Sequence, residues 1–326
     1  MRIFKRIANR LKRAWTLFQI DAEWSVLYAL MCLLVKISKR IGSSKLTAWL
    51  TEQVDQYILS RLSDQLRCVF AHFRDDQSPG EYQEDAPVWV CWWTGLENAP
   101  ELVKRCIQSI QQNAGQHPVH VISKDNYSHF ISIPQYMLDK VQTGNLGLAH
   151  FSDYIRVKLI AEHGGLWLDA TIFCTGNISQ LCFDLPIFTS KGPVQEGEFI
   201  SQHRWTGFCL GGWKGNVFYQ MLAMALECYW NNNQHAITYL FFDYIILLIY
   251  ENNETVTSLM DRVPENNIHR HTLQSALTNN VSIARIHEFL YPDTVLHKLS
   301  WKGNYAMWSS DGSPTVYLAL LDGTFS

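Results

Sequence analysis

The 326-residue chain contains no C-x-x-C pair among its eight cysteines, which are scattered from Cys32 to Cys228, mostly in apolar segments. That spacing excludes the common zinc-binding patterns and gives no disulfide frame. The cysteines read as reduced core residues of a cytoplasmic protein. Long hydrophobic runs are also missing. The apolar stretches at Ser25 to Val35 and Leu240 to Tyr250 are about a dozen residues each, short of the ~20 that a helix needs to cross a bilayer. The first lies late and lacks a small-residue cleavage site, so it does not read as a secretory signal. Net charge is only −3, and no basic patch is interleaved with aromatics, so nucleic acid is not expected as a partner. Internal repeats and low-complexity tracts are absent.

What is present is apolar and aromatic: 47% hydrophobic residues and twelve tryptophans. That composition excludes disorder and suits one α/β catalytic domain with an appendage. Charge is unevenly placed. Residues 1–46 hold ten Lys or Arg against Asp21 and Glu23, about +8, which leaves about −11 for the remainder. From Met1 to Phe18, Ile3, Phe4, Ile7, Leu11, Trp15 and Phe18 form one helical stripe among basic residues. Such a helix suits peripheral contact with an anionic inner membrane face; the alternative is a helical appendage packed on the domain or a partner. The expected organisation is a basic helical region at 1–70, a linker at 71–86 around Asp75-Asp76-Gln77-Ser78-Pro79-Gly80, and a catalytic domain at 87–326.

The most informative stretch runs from His150 to Thr175. Tyr154, Ile155, Leu159 and Ile160 recur at helical spacing, with Ser152 as expected N-cap and Gly164 as C-cap. Asp153 and Arg156 then share one helix face. After Gly164 and Gly165, alternation turns Leu166 and Leu168 to one side of a strand and Trp167, Asp169 and Thr171 to the other. Asp169 falls at the carboxyl end of that strand, where open α/β sheets bind ligands. Carboxylates and a guanidinium converging there suit a nucleotide diphosphate-sugar, whose charge needs a hard cation or fixed donors. An alternative from the residues alone is a surface ion pair beside a strand end.

The string S-D-x-x-R, helix, G-G-x-x-x-D at Ser152, Asp153, Arg156, Gly164, Gly165 and Asp169 resembles the capsular polysaccharide synthesis proteins, a bacterial family related to glycosyltransferase family 32. Distant relatives complete a D-x-D metal motif, whereas this chain reads D-A-T, ending in Thr171. The resemblance extends over residues 85–305. Pro87 to Trp93 resembles the opening strand, Pro100 to Cys106 begins a helix, Val119 to Ile122 is a second strand, and His297-Lys298-Leu299-Ser300-Trp301-Lys302 resembles a C-terminal element.

The resemblance implies a GT-A-type, Rossmann-like fold and transfer of a sugar to a polysaccharide or lipid-linked glycan, with retained configuration and help from manganese or magnesium. It implies Asp169, Thr171, His297 and Ser300 toward the metal. Trp92, Trp93, Asp153, Arg156, Gly164, Gly165, Lys298, Trp301 and Lys302 would hold the donor, and Asp169, Asp243 and His297 would serve catalysis. Asp243 interrupts the apolar 240–250 stretch, expected to be a buried helix; a buried carboxylate there must find a partner or shift its pKa. Gly207 to Lys214 reads as a strand lining the acceptor cleft, the alternative being a plain hairpin, and His269-Arg270-His271 reads as a polar loop. The alternative function is a non-catalytic glycan- or nucleotide-binding scaffold that has lost its metal site.

Overall fold

A computed structural model describes residues 12, 15–195 and 199–325. The stripe expected over 1–18 lies mostly outside the described residues. In chain order the elements are α1 (Val26–Ile41), α2 (Ser44–Gln65), α3 (Arg67–His72), β1 (Val88–Cys91), α4 (Glu101–Asn113), β2 (Val119–Ile122), α5 (Gln135–Thr143), α6 (Leu148–His163), β3 (Gly165–Leu168), β4 (Ile172–Cys174), α7 (Leu181–Asp184), β5 (Ile187–Thr189), β6 (Cys209–Gly212), α8 (Val217–Asn232), α9 (Phe241–Asn252), α10 (Glu254–Asp261), α11 (Thr272–Thr278), β7 (Leu296–Lys298) and α12 (Val316–Asp322).

Alternating strands and helices build the expected α/β fold. The central sheet has the order β2-β1-β3-β6-β5. β1 runs parallel to both β2 and β3, while β6 is antiparallel to β3 and β5. Side-chain alternation divides the core. Val88, Val90, Leu166 and Leu168 pack with Val103, Ile107 and Ile110 of α4, whereas Trp89, Trp167 and Leu210 join the cluster built by α6, α8 and α9. Because β1 lies between β2 and β3, the chain leaves β1 toward one side and returns on the other. This is the switch point at which α/β sheets open a crevice.

β4 and β7 form a separate antiparallel ribbon, with Phe173 opposite His297 and Ile172 opposite Lys298. The ribbon brings the C-terminal segment back to the end of β3. Residues 207–214 do not form an isolated hairpin. β6 is an interior strand of the main sheet, and Gly207 and Phe208 just before it line the cleft.

The core also runs across the boundary expected near residue 70. Ile58, Leu62, Leu66, Val69 and Phe73 belong to the same buried cluster as Leu226 and Ile245. The Tyr244 hydroxyl donates to Asp55 at 2.5 Å.

Candidate functional site

A cleft of about 680 Å³ opens where β1 and β3 end. Its floor is set by local geometry. After Leu168 the chain turns, with the Ile172 amide donating to the Asp169 carbonyl at 2.8 Å and the Asp169 amide to the Phe208 carbonyl at 2.9 Å. The turn projects Asp169 and Thr171 inward. Helix α6 starts at Leu148, a turn earlier than the Ser152 N-cap would have it, with Gly147 as the extended residue before it. Ser152 instead donates to the Ala149 carbonyl. The earlier start leaves the i, i+3 relation of Asp153 and Arg156 intact.

Arg156 is the hub. One of its nitrogens lies 3.1 Å from Asp153 and the other 3.3 Å from Asp169, and the guanidinium also donates to the Gly207 carbonyl. It is buried, lying between the rings of Trp167 and Phe242. Asp169 further accepts from the Trp167 indole at 3.0 Å and from Lys298 Nζ at 2.7 Å. The same ammonium donates to Thr171 Oγ1 at 2.6 Å.

Environment separates the carboxylates. Burial raises the Asp153 carboxyl to about 7, against the pull of Arg156. Burial also works to raise Asp169, but Lys298 and Arg156 together outweigh it and bring that carboxyl down to about 2. Asp243, in the first turn of α9, lines the same cleft and accepts from the Trp205 indole at 3.0 Å. Burial raises its pKa, against the Trp205 bond and Arg156.

At the rim, Trp92 and Trp301 meet edge to face with centroids 5.9 Å apart, and Lys302 Nζ lies 5.6 Å from the Trp301 ring centre. Trp93 also lines the cleft, backed by Tyr127 and Phe151. The opposite wall is His150, Tyr239, Leu240 and Phe242. Gly207 and Phe208 line the cleft as the 207–214 stretch was expected to, whereas sequence reasoning missed Trp167, His150 and the rest of this wall. Trp167 had a signal, since it shares a strand face with Asp169, and His150 lies on α6 itself; Tyr239, Leu240 and Phe242 had none, because they meet α6 only through tertiary packing.

Four expected site residues lie elsewhere. His297 points away from the cleft, because the β4–β7 register turns it and Lys298 to opposite faces. Its ring is buried, Nε2 is 3.1 Å from the Thr175 hydroxyl, and burial lowers its pKa to about 4. Ser300 is exposed, does not line the cleft and accepts from the Lys302 amide. Gly164 and Gly165 sit at the far end of β3 from Asp169. Their positive φ values, 69° and 97°, and close backbone neighbours make them packing residues.

These placements test the expected divalent cation. Asp169 is the one carboxylate beside the neutral Thr171 hydroxyl, His297 and Ser300 are not at hand, and the Lys298 ammonium is seated between Asp169 and Thr171. A hard dication prefers several anionic oxygens. One carboxylate, one hydroxyl and an adjoining ammonium do not fit it.

The "O-glycosyltransferase braB" of Annulohypoxylon truncatum is 26% identical over 129 residues, 37% of this chain and 30% of that protein. The "O-glycosyltransferase PaGT" of Phomopsis amygdali is 25% identical over 125 residues, covering 36% and 29%. The "Glycosyltransferase afumC" of Aspergillus fumigatus is 31% identical over 108 residues, covering 30% and 27%. The matched stretch thus spans under a third of each of these curated relatives. A solved structure titled "PaToxG Glycosyltransferase" aligns with a TM-score of 0.36 at 14% identity, over 61% of this chain and 83% of that one. The family described as "Capsular polysaccharide synthesis protein" matches residues 39–318, from the end of α1 into α12, and this chain belongs to it.

Proposed function

We propose that the chain is a glycosyltransferase that takes a sugar from a nucleotide diphosphate-sugar and passes it to a hydroxyl of a growing polysaccharide or lipid-linked glycan. Family membership and the glycosyltransferase names of the relatives support this reading. The observation that carries it is the charge ladder Lys298, Asp169, Arg156, Asp153 at the carboxyl edge of β3, beneath an aromatic rim. One end of the ladder offers cations to a diphosphate; the other offers carboxylates to sugar hydroxyls.

In this reading Trp92 and Trp301 hold the base by stacking. Lys298 and Lys302 bind the diphosphate and offset the charge that grows as it departs. Asp169 and Asp153 fix sugar hydroxyls, with Arg156 holding both carboxylates in place. The anomeric carbon–oxygen bond to the diphosphate breaks, the acceptor oxygen bonds to that carbon, and Asp243 takes the hydroxyl proton. Its raised pKa suits it to that task. The charge that manganese or magnesium would offset falls here to Lys298. Retention of anomeric configuration rests on the family resemblance, and the eight unpaired cysteines support a cytoplasmic setting.

The test is to incubate the protein with a panel of nucleotide sugars, with chelator or with added manganese, and to follow release of nucleoside diphosphate. Slow donor hydrolysis without acceptor suffices. We expect release in chelator, loss in Asp169→Asn, and slowing by about 100-fold in Asp243→Asn. In Lys298→Met, nucleoside diphosphate should bind about 10- to 100-fold more weakly, as expected for a lost hydrogen bond to a charged group. Binding without turnover would make the protein a scaffold. Strict dependence on manganese would overturn the role given to Lys298.

A further inference from the structure

Helix α1 is apolar on two faces, and only one of them is used. Tyr28 and Ala29 are buried. Tyr28 stacks on Tyr57 of α2, and its hydroxyl donates to the Ile237 carbonyl at 2.7 Å. The other face carries Val26, Leu27, Leu30, Leu34, Ile37 and Ile41, each 44–69% exposed. At 100° per residue these six fall within an arc of about 100°. Trp49 of α2 is exposed as well, at 56%. A water-facing ridge of this length is unusual on a soluble surface and marks an interface.

Charge selects the occupant. No Asp or Glu occurs between Glu23 and Glu52, while Lys36, Lys39, Arg40 and Lys45 are exposed along and just after the ridge. Residues 1–46 carry about +8 on a chain whose remainder is about −11. A protein partner would need only the apolar face. The basic border matches an anionic headgroup layer, with lysine and arginine stems reaching up from the acyl boundary. At 16 residues, α1 is about 24 Å long, and no helix among the described residues is long and apolar enough to cross a membrane. The helix therefore lies in the plane of the interface.

We propose that the exposed face of α1, with Trp49, docks on the surface of an anionic lipid bilayer. The geometry links this surface to the cleft. Tyr28 bonds Ile237, Trp24 stacks on Tyr229, and Glu23 pairs with His235 at 3.0 Å. Those contacts pin α1 and the two residues just ahead of its N-cap Ser25 to the segment that continues into Tyr239 and Leu240 at the cleft wall. Tyr239, 75% exposed, is held by its carbonyl against His150 Nε2 at 3.0 Å. On the transferase reading, from which this last step follows, docking presents the acceptor side of the cleft to a lipid-linked glycan. The docking itself does not depend on that reading and is measured without substrate.

The experiment is cosedimentation of the full chain with vesicles of phosphatidylcholine, with or without phosphatidylglycerol. Binding is expected to vesicles containing phosphatidylglycerol alone, and to fall as salt is raised from about 0.05 M to about 0.5 M. The triple variant Leu30→Ser/Leu34→Ser/Ile37→Ser, altered at exposed positions, should lower the bound fraction at least about tenfold, because each lost apolar side chain weakens insertion. Lys39→Glu/Arg40→Glu should lower it as well. Vesicle binding unchanged in the triple variant overturns the proposal. So does a full chain that ignores vesicles, whether it stays monomeric or forms a dimer that the triple variant disrupts.

Discussion

Asp153 and Asp169 face one guanidinium, yet their carboxyls move in opposite directions: Asp153 up to about 7, Asp169 down to about 2. Asp153 has its arginine and little else, so desolvation wins; Asp169 adds Lys298 and the Trp167 indole. The consequence for stability has a sign. Between about pH 4 and 7 the folded chain keeps a proton on Asp153 that the unfolded chain has released, so this group's contribution is full below the unfolded value and is lost as pH rises toward 7. Asp169 works the other way, its contribution being lost as pH falls from the unfolded value toward 2. We expect Asp153→Asn to flatten the decline in melting temperature between about pH 5 and pH 7. Thermal melts of the two proteins at both pH values check this, and parallel slopes would sink it. The convergence of Asp153, Arg156 and Asp169 was legible in the sequence because each position follows from local periodicity. The facing of His297 and Lys298 was not. It depends on pairing β7 with β4, more than a hundred residues away in the chain, and a register shift of one residue would exchange the two side chains.

Among the elements, β3 shows what the glycine pair does. A Cβ on Gly165 would stand 2.1 Å from the Pro87 carbonyl oxygen, and its φ of 97° is one that side chains avoid. This closeness lets the β3 amide of Leu166 reach the same carbonyl at 2.9 Å and register β3 beside β1. Gly165→Ala should therefore cost several kcal/mol through backbone displacement and strain, and a sharp fall in melting temperature or soluble yield is the expected readout. A variant melting within about 2 °C of the parent would show that the strands can part without cost. The sequence marked these glycines as belonging to the site; their part is to align the strand whose other end carries Asp169. The strand and helix periods themselves were readable, since amphipathic α4 and the alternating β3 are local patterns. The end of α6 was read correctly from Gly164, but its start was not, because Ser152 had an equally good local bond to make inside the helix.

For the whole molecule, composition set off a basic helical region with a boundary near residue 70, open to a membrane face or to packing on the domain, and its α2 and α3 are packed on the body. Ile58, Leu62, Leu66 and Val69 are buried in the cluster that holds α8 and α9. Full burial of four such side chains stabilises by about 6–12 kcal/mol, comparable to the ~5–15 kcal/mol of an entire domain. A chain beginning at residue 71 should give no cooperative melting transition by circular dichroism; a sharp one near the parent's would show that the body holds its own core. Charge composition does not reveal this, since what ties α2 down is its apolar stripe and the far ends of those contacts lie beyond residue 220.

The Lys298 ammonium described above is already occupied by Asp169 and Thr171. On the proposed reading, an incoming diphosphate does not fill a bare positive socket. It trades places with a carboxylate, so donor affinity measures the difference between two anions at one ammonium, and tight binding is not to be expected from charge alone. What the trade releases is Asp169 Oδ2, which is then open to a sugar hydroxyl at the moment the sugar arrives, while Arg156 and the Trp167 indole keep the other oxygen in place.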